Sequence, residues 1–489
     1  MASEETSGLS ANVAVFLVAA TSGLVLVIEI LAGRLMAPYV GVSLETFTGI
    51  IGTILAGIAV GAAVGGSLAD KKDPVRLIAQ ALFFGGGLTW LSVPIVLTLG
   101  PALGSGPAAI VTLAASAFLL PAAVLSGIGP MVAKLQLESL NETGAVVGRL
   151  SAASTFGALV GTFGAGFVLI ALFPVRIIIF GIGAILVVAG LALFIKTGRE
   201  RPGGPEIGAV MFAALLGFVA PSPCDHVTNY FCVRVVADVE TAAENPREGG
   251  RSLILDQLRH AHVDLDDPTF LDIRYIRLLA DTIETLPEGP IRVLHVGGGG
   301  FSLPRYISAV RPDSTNVVLE LDEQLVEIAE DELGLTDADN LDIRTGDARN
   351  HLSDLPTDGF DIIIGDAFSG SSVPWHLTTV EVIEEYDRLL DDDGLYVMNV
   401  IDGDESRFAR AQLDTVGQVF DALGVIEPQD GVGSASVNQV LIANRSTIPT
   451  FDIAPEDGRQ LAPDEIDGYI GDNDVILTDD FAPADQLLP

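Results

Sequence analysis

The chain has 489 residues, with 26 Lys+Arg against 64 Asp+Glu, a net charge of −38 and two cysteines. A chain of this length holds two or three domains. Its acidity excludes nucleic acid as a partner, because phosphate binding needs a basic patch. The charge is unevenly spread: residues 1–220 hold 10 basic and 10 acidic side chains, while residues 221–489 hold 16 and 54 and no lysine. So acidic a folded domain reads as a heavily solvated surface suited to high salt, hence a halophilic source. An acidic partner-binding face is the other reading.

The first 220 residues read as a membrane domain. Apolar runs reach or approach the roughly 20 residues that span a bilayer. They lie near Val13–Gly33, Thr46–Ala69, Val75–Leu99, Pro107–Val132, Val146–Ala171 and Val175–Ile195. The first lacks the basic lead of a signal peptide and reads as retained. A seventh run, Ile207–Ala220, is short and could be tilted, interfacial or packed in the bundle. Gly49, Gly57, Gly61 and Gly65 in the second run, and Gly157, Gly161 and Gly164 in the fifth, form a small-residue stripe for close helix packing. Glu29 and Arg34 lie close to the interface and read as snorkelling charges. Pro94, Pro121 and Pro130 are candidate kink sites.

With the N-terminus inside, the inner loops carry Lys71, Lys72, Arg76, Lys134, Arg149, Lys196, Arg199 and Arg201, and the outer loops only Arg34 and Arg176. That bias favours this orientation. If the seventh run spans, the acidic half lies outside; if not, it lies inside. Cys224 and Cys232 follow that run. On an oxidising side they could pair, inside they would stay reduced, and their spacing suits no zinc site.

In the acidic half, Phe231–Glu240 and Arg251–Leu255 read as a β-hairpin around Glu244-Asn-Pro-Arg-Glu-Gly-Gly250. Leu255-Asp-Gln-Leu-Arg-His-Ala-His262 follows, then helical spacing over Phe270–Leu279. His260 and His262 alternate on a strand with no third metal ligand in sight, so substrate lining or a plain polar strand is the reading, and no metal site is expected. From Ile291 strands and helices alternate. Strands are expected at Ile291–Val296, Asn316–Leu321, Asp342–Thr345, Phe360–Gly365 and Leu395–Ile401, with helices at Glu323–Leu333 and Leu377–Leu390. An antiparallel pair closes the series near Val425–Glu427 and Val437–Ala443. This order predicts a parallel sheet covered by helices, with ligands beyond the strands' carboxyl ends. There stand Gly297-Gly-Gly-Gly300 after the first strand and the acids Glu320, Asp322, Asp347 and Asp366 after the next three. A strand, glycine turn, helix, strand, acid sequence is a nucleoside-binding unit: glycine lets the backbone approach the ligand and the acid takes ribose hydroxyls.

These residues resemble the spermidine synthase (polyamine aminopropyltransferase) family in its membrane-fused form. The matching pieces are Val293-Leu-His-Val-Gly-Gly-Gly-Gly300, Val318-Leu-Glu-Leu-Asp322, Gly346-Asp-Ala348, Phe360-Asp-Ile-Ile-Ile-Gly-Asp-Ala-Phe368, Pro374-Trp-His-Leu-Thr-Thr379 and Leu477-Thr-Asp-Asp-Phe-Ala-Pro483. The likeness covers roughly residues 228–485. It implies transfer of an aminopropyl group from decarboxylated S-adenosylmethionine to an amine. Gly297, Gly299, Glu320, Asp347 and Ala348 would bind that cosubstrate, with Glu320 on the ribose and Asp347 on the adenine amine. Asp366 would take the nucleophile's proton and Tyr275 would help position it. Gln257, His260, Trp375, His376 and Asp479 would line the substrate. No tightly bound cofactor is implied, and a homodimer is compatible. Two positions depart from the family: Gly300 and Ser369 stand where acids are usual.

The expected architecture is therefore a multi-span helical bundle over 1–220 in the cell membrane, a hairpin and linker over 221–288, and a Rossmann-like α/β domain of class I methyltransferase type over 289–489. Other readings of the same motifs are a methyltransferase using intact S-adenosylmethionine, and a non-catalytic nucleoside- or polyamine-sensing domain on a membrane transporter.

Overall fold

The computed structural model describes all residues except 1–8, 105, 138–142, 199–200, 241–245, 337–340, 369, 371–372, 429–436 and 489, in two compact units, Met1–Asn229 and Tyr230–Pro489. Ser369, Arg199 and positions 244–245 of the expected hairpin loop lie outside the described residues.

In the first unit, long apolar runs become helices because an α-helix satisfies its own backbone without water. Six described helices are long and apolar enough to cross a membrane: α1 (Ala11–Val40), α2 (Leu44–Ala69), α3 (Pro74–Leu103), α4 (Pro107–Gln136), α5 (Thr143–Leu172) and α6 (Val175–Thr197). α4 and α5 each contain one π-helical turn, Ala115–Leu119 and Ala165–Leu169. In α4 it stands just before Pro121, whose missing N–H cannot extend the regular ladder.

The glycine stripe brings backbones together. A β-carbon at Gly61 would lie 2.0 Å from Ala123 O, and one at Gly65 2.6 Å from Gly127 Cα, so nothing larger fits between α2 and α4. On α5, Gly157 would meet Ala19 O of α1 at 1.9 Å and Gly161 would meet Gly23 O at 2.3 Å. The Ser22 and Ser154 hydroxyls, 2.7 Å apart, tie the same pair. Gly164 faces open space and takes no part.

The seventh run is α7 (Gly204–Val219). Its Val210 packs on Gly87 and its Gly217 on Trp90 O, both of α3. Arg176, at the start of α6, donates to Gly217 O at 2.8 Å and also to Ala220 O. α7 therefore runs antiparallel to α6 and ends at the level where α6 begins. Arg34, expected to snorkel, instead donates to Thr228 O in the segment after α7. Neither Cys224 nor Cys232 is a free thiol.

The second unit opens with a three-stranded antiparallel meander, β1 (Cys232–Ala237), β2 (Gly250–Leu255) and β3 (Leu258–Asp264), rather than a two-stranded hairpin. The third strand adds on because Asp256, at φ 53°, and Gln257 form a tight turn. The helix α8 (Arg274–Glu284) follows, burying Ile276, Leu279 and Ile283 on one face, as their spacing dictates.

The main sheet contains β4 (Arg292–Val296), β5 (Thr315–Glu320), β6 (Leu341–Thr345), β7 (Phe360–Gly365), β8 (Leu390–Asp402), β9 (Ala422–Glu427), β10 (Val437–Asn444) and β11 (Arg459–Gln460). Its order is β11-β9-β10-β8-β7-β4-β5-β6. The run β8-β7-β4-β5-β6 is parallel, and β9, β10 and β11 extend it antiparallel. The helices α9 (Ser302–Val310), α10 (Glu323–Glu332), α11 (Ala348–Leu352), α12 (Val380–Leu389) and α13 (Arg407–Val416) complete the α/β alternation. β4 lies between β7 and β5, so the chain order reverses there and a crevice opens at the strands' carboxyl ends. The architecture is a helical bundle followed by a Rossmann-like domain.

Candidate active site

The crevice is built from backbone first. Gly297 takes φ 107°, and a β-carbon there would lie 2.4 Å from Asp366 O, so only glycine fits. Asp366 N–H donates to Val296 O at 2.9 Å and Gly297 N–H to Leu319 O at 2.9 Å, which laces three strand ends together. Gly299, at φ 51°, faces the open crevice: a β-carbon there would meet nothing within 4 Å. At Gly300 a β-carbon would lie 2.5 Å from Ala261 Cβ of β3. Any side chain at that position, an acid included, is therefore shut out by the meander.

Glu320 is buried at the end of β5. Its Oε2 accepts from Gly298 N and Gly299 N at 2.9 and 3.0 Å, and its Oε1 from Asp322 N at 3.0 Å. Burial pushes its carboxyl up, and these three N–H groups oppose that. A carboxylate offers about four lone-pair sites, so one remains for a ligand. Asp322, the other acid of this motif, caps α10 through Gln324 N at 3.2 Å. Asp347 caps α11 through Arg349 N at 2.9 Å, and its Oδ2 lies 3.3 Å from His376 Nε2.

Asp366 sits just beyond β7. Its Oδ1 accepts from Asn399 Nδ2 at 2.8 Å, and its Oδ2 lies 3.2 Å from the Tyr275 hydroxyl, which also lies 3.2 Å from His260 O. Burial raises the Asp366 carboxyl to about 7 against the pull of those two donors. Burial, then the neighbouring Asp366 charge, keeps the Tyr275 phenol well above its ordinary value and protonated. Burial also lowers His260 to about 4, so it is neutral at pH 7, and its Nε2 is buried without a hydrogen-bond partner among the described residues.

One open cleft gathers Gly297, Gly299, Glu320, Asp347, Ala348, Asp366, His260 and His376, with Phe231, Leu255, Phe368 and Leu377 as apolar wall. It holds about 740 Å³ free of protein atoms, part of it open to solvent. Tyr275 lies in the hollow behind the glycine turn, which shares Asp366 and His260 with the cleft.

Three expected substrate residues are placed elsewhere. Gln257 is exposed at the β2–β3 turn, because the turn directs it away from the sheet. Asp479 is held by Arg349 at 2.8 and 2.6 Å and by the Thr379 hydroxyl at 2.8 Å, so its charge is already used. Trp375 is half exposed and does not line the cleft. Asn399, which touches Asp366, escaped sequence reading; a lone amide in the apolar run Leu395-Tyr-Val-Met-Asn-Val400 was its available signal.

No family model matches the chain. A polyamine aminopropyltransferase of Vibrio vulnificus is 28% identical over 231 residues, which is 44% of this chain and 75% of that protein. This relative supports a likeness to the spermidine synthase family. The six apolar helices are consistent with that family's membrane-fused form. An eEF1A lysine and N-terminal methyltransferase of Danio rerio is also similar, 29% identical over 169 residues, covering 33% of this chain and 24% of that one. Among solved structures, a probable spermidine synthase from Corynebacterium glutamicum aligns with TM-score 0.47 and 24% identity over 52% of this chain and 95% of that one. At the coarse level these relatives share, the chain is a transferase.

Proposed function

We propose that the second unit transfers an aminopropyl group from decarboxylated S-adenosylmethionine to an amine, while the first unit anchors it in a membrane. The observation that carries this reading is Asp366: a carboxyl raised to about 7, in a cleft beside a glycine turn, held by two neutral donors. An alkylammonium has no free lone pair and cannot attack carbon. Ionised Asp366 accepts one of its protons. The freed nitrogen attacks the carbon bonded to the sulfonium sulfur; the N–C bond forms as the C–S bond breaks, and the bonding pair leaves on sulfur as a neutral thioether nucleoside. Asp366 then loses its proton to solvent.

The remaining residues bind and orient. Gly297 and Gly299 let the nucleoside approach the backbone, and the one free site of Glu320 takes a ribose hydroxyl. Asp347 accepts from the adenine amine, with His376 beside it. Neutral His260 leaves a sulfonium unopposed by a second positive charge. The good leaving group leaves the protein mainly positioning to supply.

The test uses the full chain in detergent, given the decarboxylated donor and putrescine, with release of the thioether nucleoside as readout. Turnover with that donor, lowered 10²- to 10⁴-fold or so in Asp366→Asn, is expected. Turnover only with intact S-adenosylmethionine, or with neither donor, overturns the reading.

A further inference from the structure

Behind Asp366 runs a line of side-chain amides. Asn438 Nδ2 donates to Asn399 Oδ1 at 3.0 Å, and Asn399 Nδ2 donates to Asp366 Oδ1 at 2.8 Å. The two asparagines sit on neighbouring antiparallel strands, Asn399 near the end of β8 and Asn438 near the start of β10. Asn399 is 1% exposed. A side-chain amide has a donor end and an acceptor end, and the end it presents decides which protonation state of a facing carboxyl it favours. By occupying the acceptor end of Asn399, Asn438 leaves the donor end toward Asp366.

We propose that Asn438 and Asn399 are positioning residues that hold Asp366 in its ionised, proton-accepting form and turn its open lone pairs toward the cleft. Without Asn438, the Asn399 amide is free to rotate by half a turn. Its carbonyl would then face Asp366, and only a protonated Asp366 could donate to it. Among the other titratable groups facing Asp366, Tyr275 alone adds to this bias. Tyr275 on α8 donates to the opposite oxygen and stays protonated. His260 on β3 and His295 on β4 are both lowered to about 4 by burial and carry no charge at pH 7. Glu320, Asp347 and His376 line the cleft with it but contact neither of its oxygens among the described residues. Asn399 and Tyr275 are thus the donors that favour the anion, and Asn438 orients one of them.

The inference rests on Asp366 being the proton acceptor of the reaction proposed above, but its test reads the carboxyl directly and needs no turnover. The probe is the infrared carboxyl band of the full chain in detergent, followed through a pH titration and assigned by its loss in Asp366→Asn. Asn399→Leu should raise the ionisation midpoint by about one pH unit, the size expected for a lost hydrogen bond to a charge. Asn438→Leu should raise it in the same direction, and the double variant should shift no further than Asn399→Leu alone. Residues acting through one another are non-additive in this way. A midpoint unmoved by Asn438→Leu, or moved equally in both backgrounds, overturns the proposal. Should Asn399→Leu fail to fold, half-buried Asn438 carries the test alone, since its substitution either moves the midpoint upward or does not.

Discussion

Gly297 and Asp366 are packed so closely that a β-carbon on the glycine would lie 2.4 Å from the aspartate's carbonyl oxygen. The glycine turn and Asp366 are therefore one backbone construction, and a change in the first displaces the second. Gly297→Ala adds both that clash and an unfavourable φ of 107°. It should cost about 1–3 kcal/mol of stability and abolish both nucleoside binding and turnover. Chemical denaturation and calorimetric titration with the thioether nucleoside check it; unchanged binding would show that the turn and the acid are independent.

Asp366 makes activity and stability depend on pH in opposite ways. Turnover needs the anion, so kcat/KM should rise with pH through about 7 and level off above it. For stability, a folded pKa above the ordinary value of 3.8 means that the folded state binds the extra proton. The favourable contribution is complete below that ordinary value and is lost as pH rises toward 7. Asp366→Asn should thus be inactive yet more stable than the parent at pH 8, by about 1–3 kcal/mol after allowance for partial solvent contact, with no gain near pH 4. Thermal unfolding at both pH values measures it.

Asp479 is expected to be structural. Two contacts to Arg349 and one from Thr379 fasten the late segment around Leu477–Asp480 to α11 and α12. Because this pair is partly exposed, Asp479→Ala should cost only about 0.5–1 kcal/mol. Its KM for the amine should stay within about twofold of the parent. A large rise in KM with unchanged stability would return Asp479 to the substrate.

The direction of α7 predicts where the chain leaves the helical unit. α7 ends beside Arg176, at the start of α6, so Ser222 should lie on the opposite side of the membrane from Lys72 and Lys196. Neither of the two cysteines is a free thiol, so an introduced thiol is the single target for labelling. In intact cells a membrane-impermeant maleimide should label Ser222→Cys and spare Lys72→Cys until the membrane is opened. Equal labelling of both would mean that α7 does not cross.

The sequence by itself determined the elements whose physics is local. Apolar runs of bilayer length became α1 to α6, because a single helix satisfies its own backbone within one segment. Alternating strands and helices with a glycine turn made the Rossmann-like order legible, down to β7 at Phe360–Gly365, because that turn can be made only by residues tolerating positive φ. Gly297, Gly299, Glu320, Asp347 and Asp366 were readable as lining one crevice because they stand at or just beyond the carboxyl ends of neighbouring parallel strands. What tertiary structure decided was which groups remain free. Asp479 and Asp322 are acids with the right neighbours in sequence, but Arg349 and a helix N-terminus take them up. Gln257 lies one turn away from the strand face that reaches the cleft. Asn438, 39 positions beyond Asn399, meets that amide only because an antiparallel strand is laid beside the parallel sheet. Burial and hydrogen-bond partnership are properties of assembled surfaces, and no spacing along one strand encodes them.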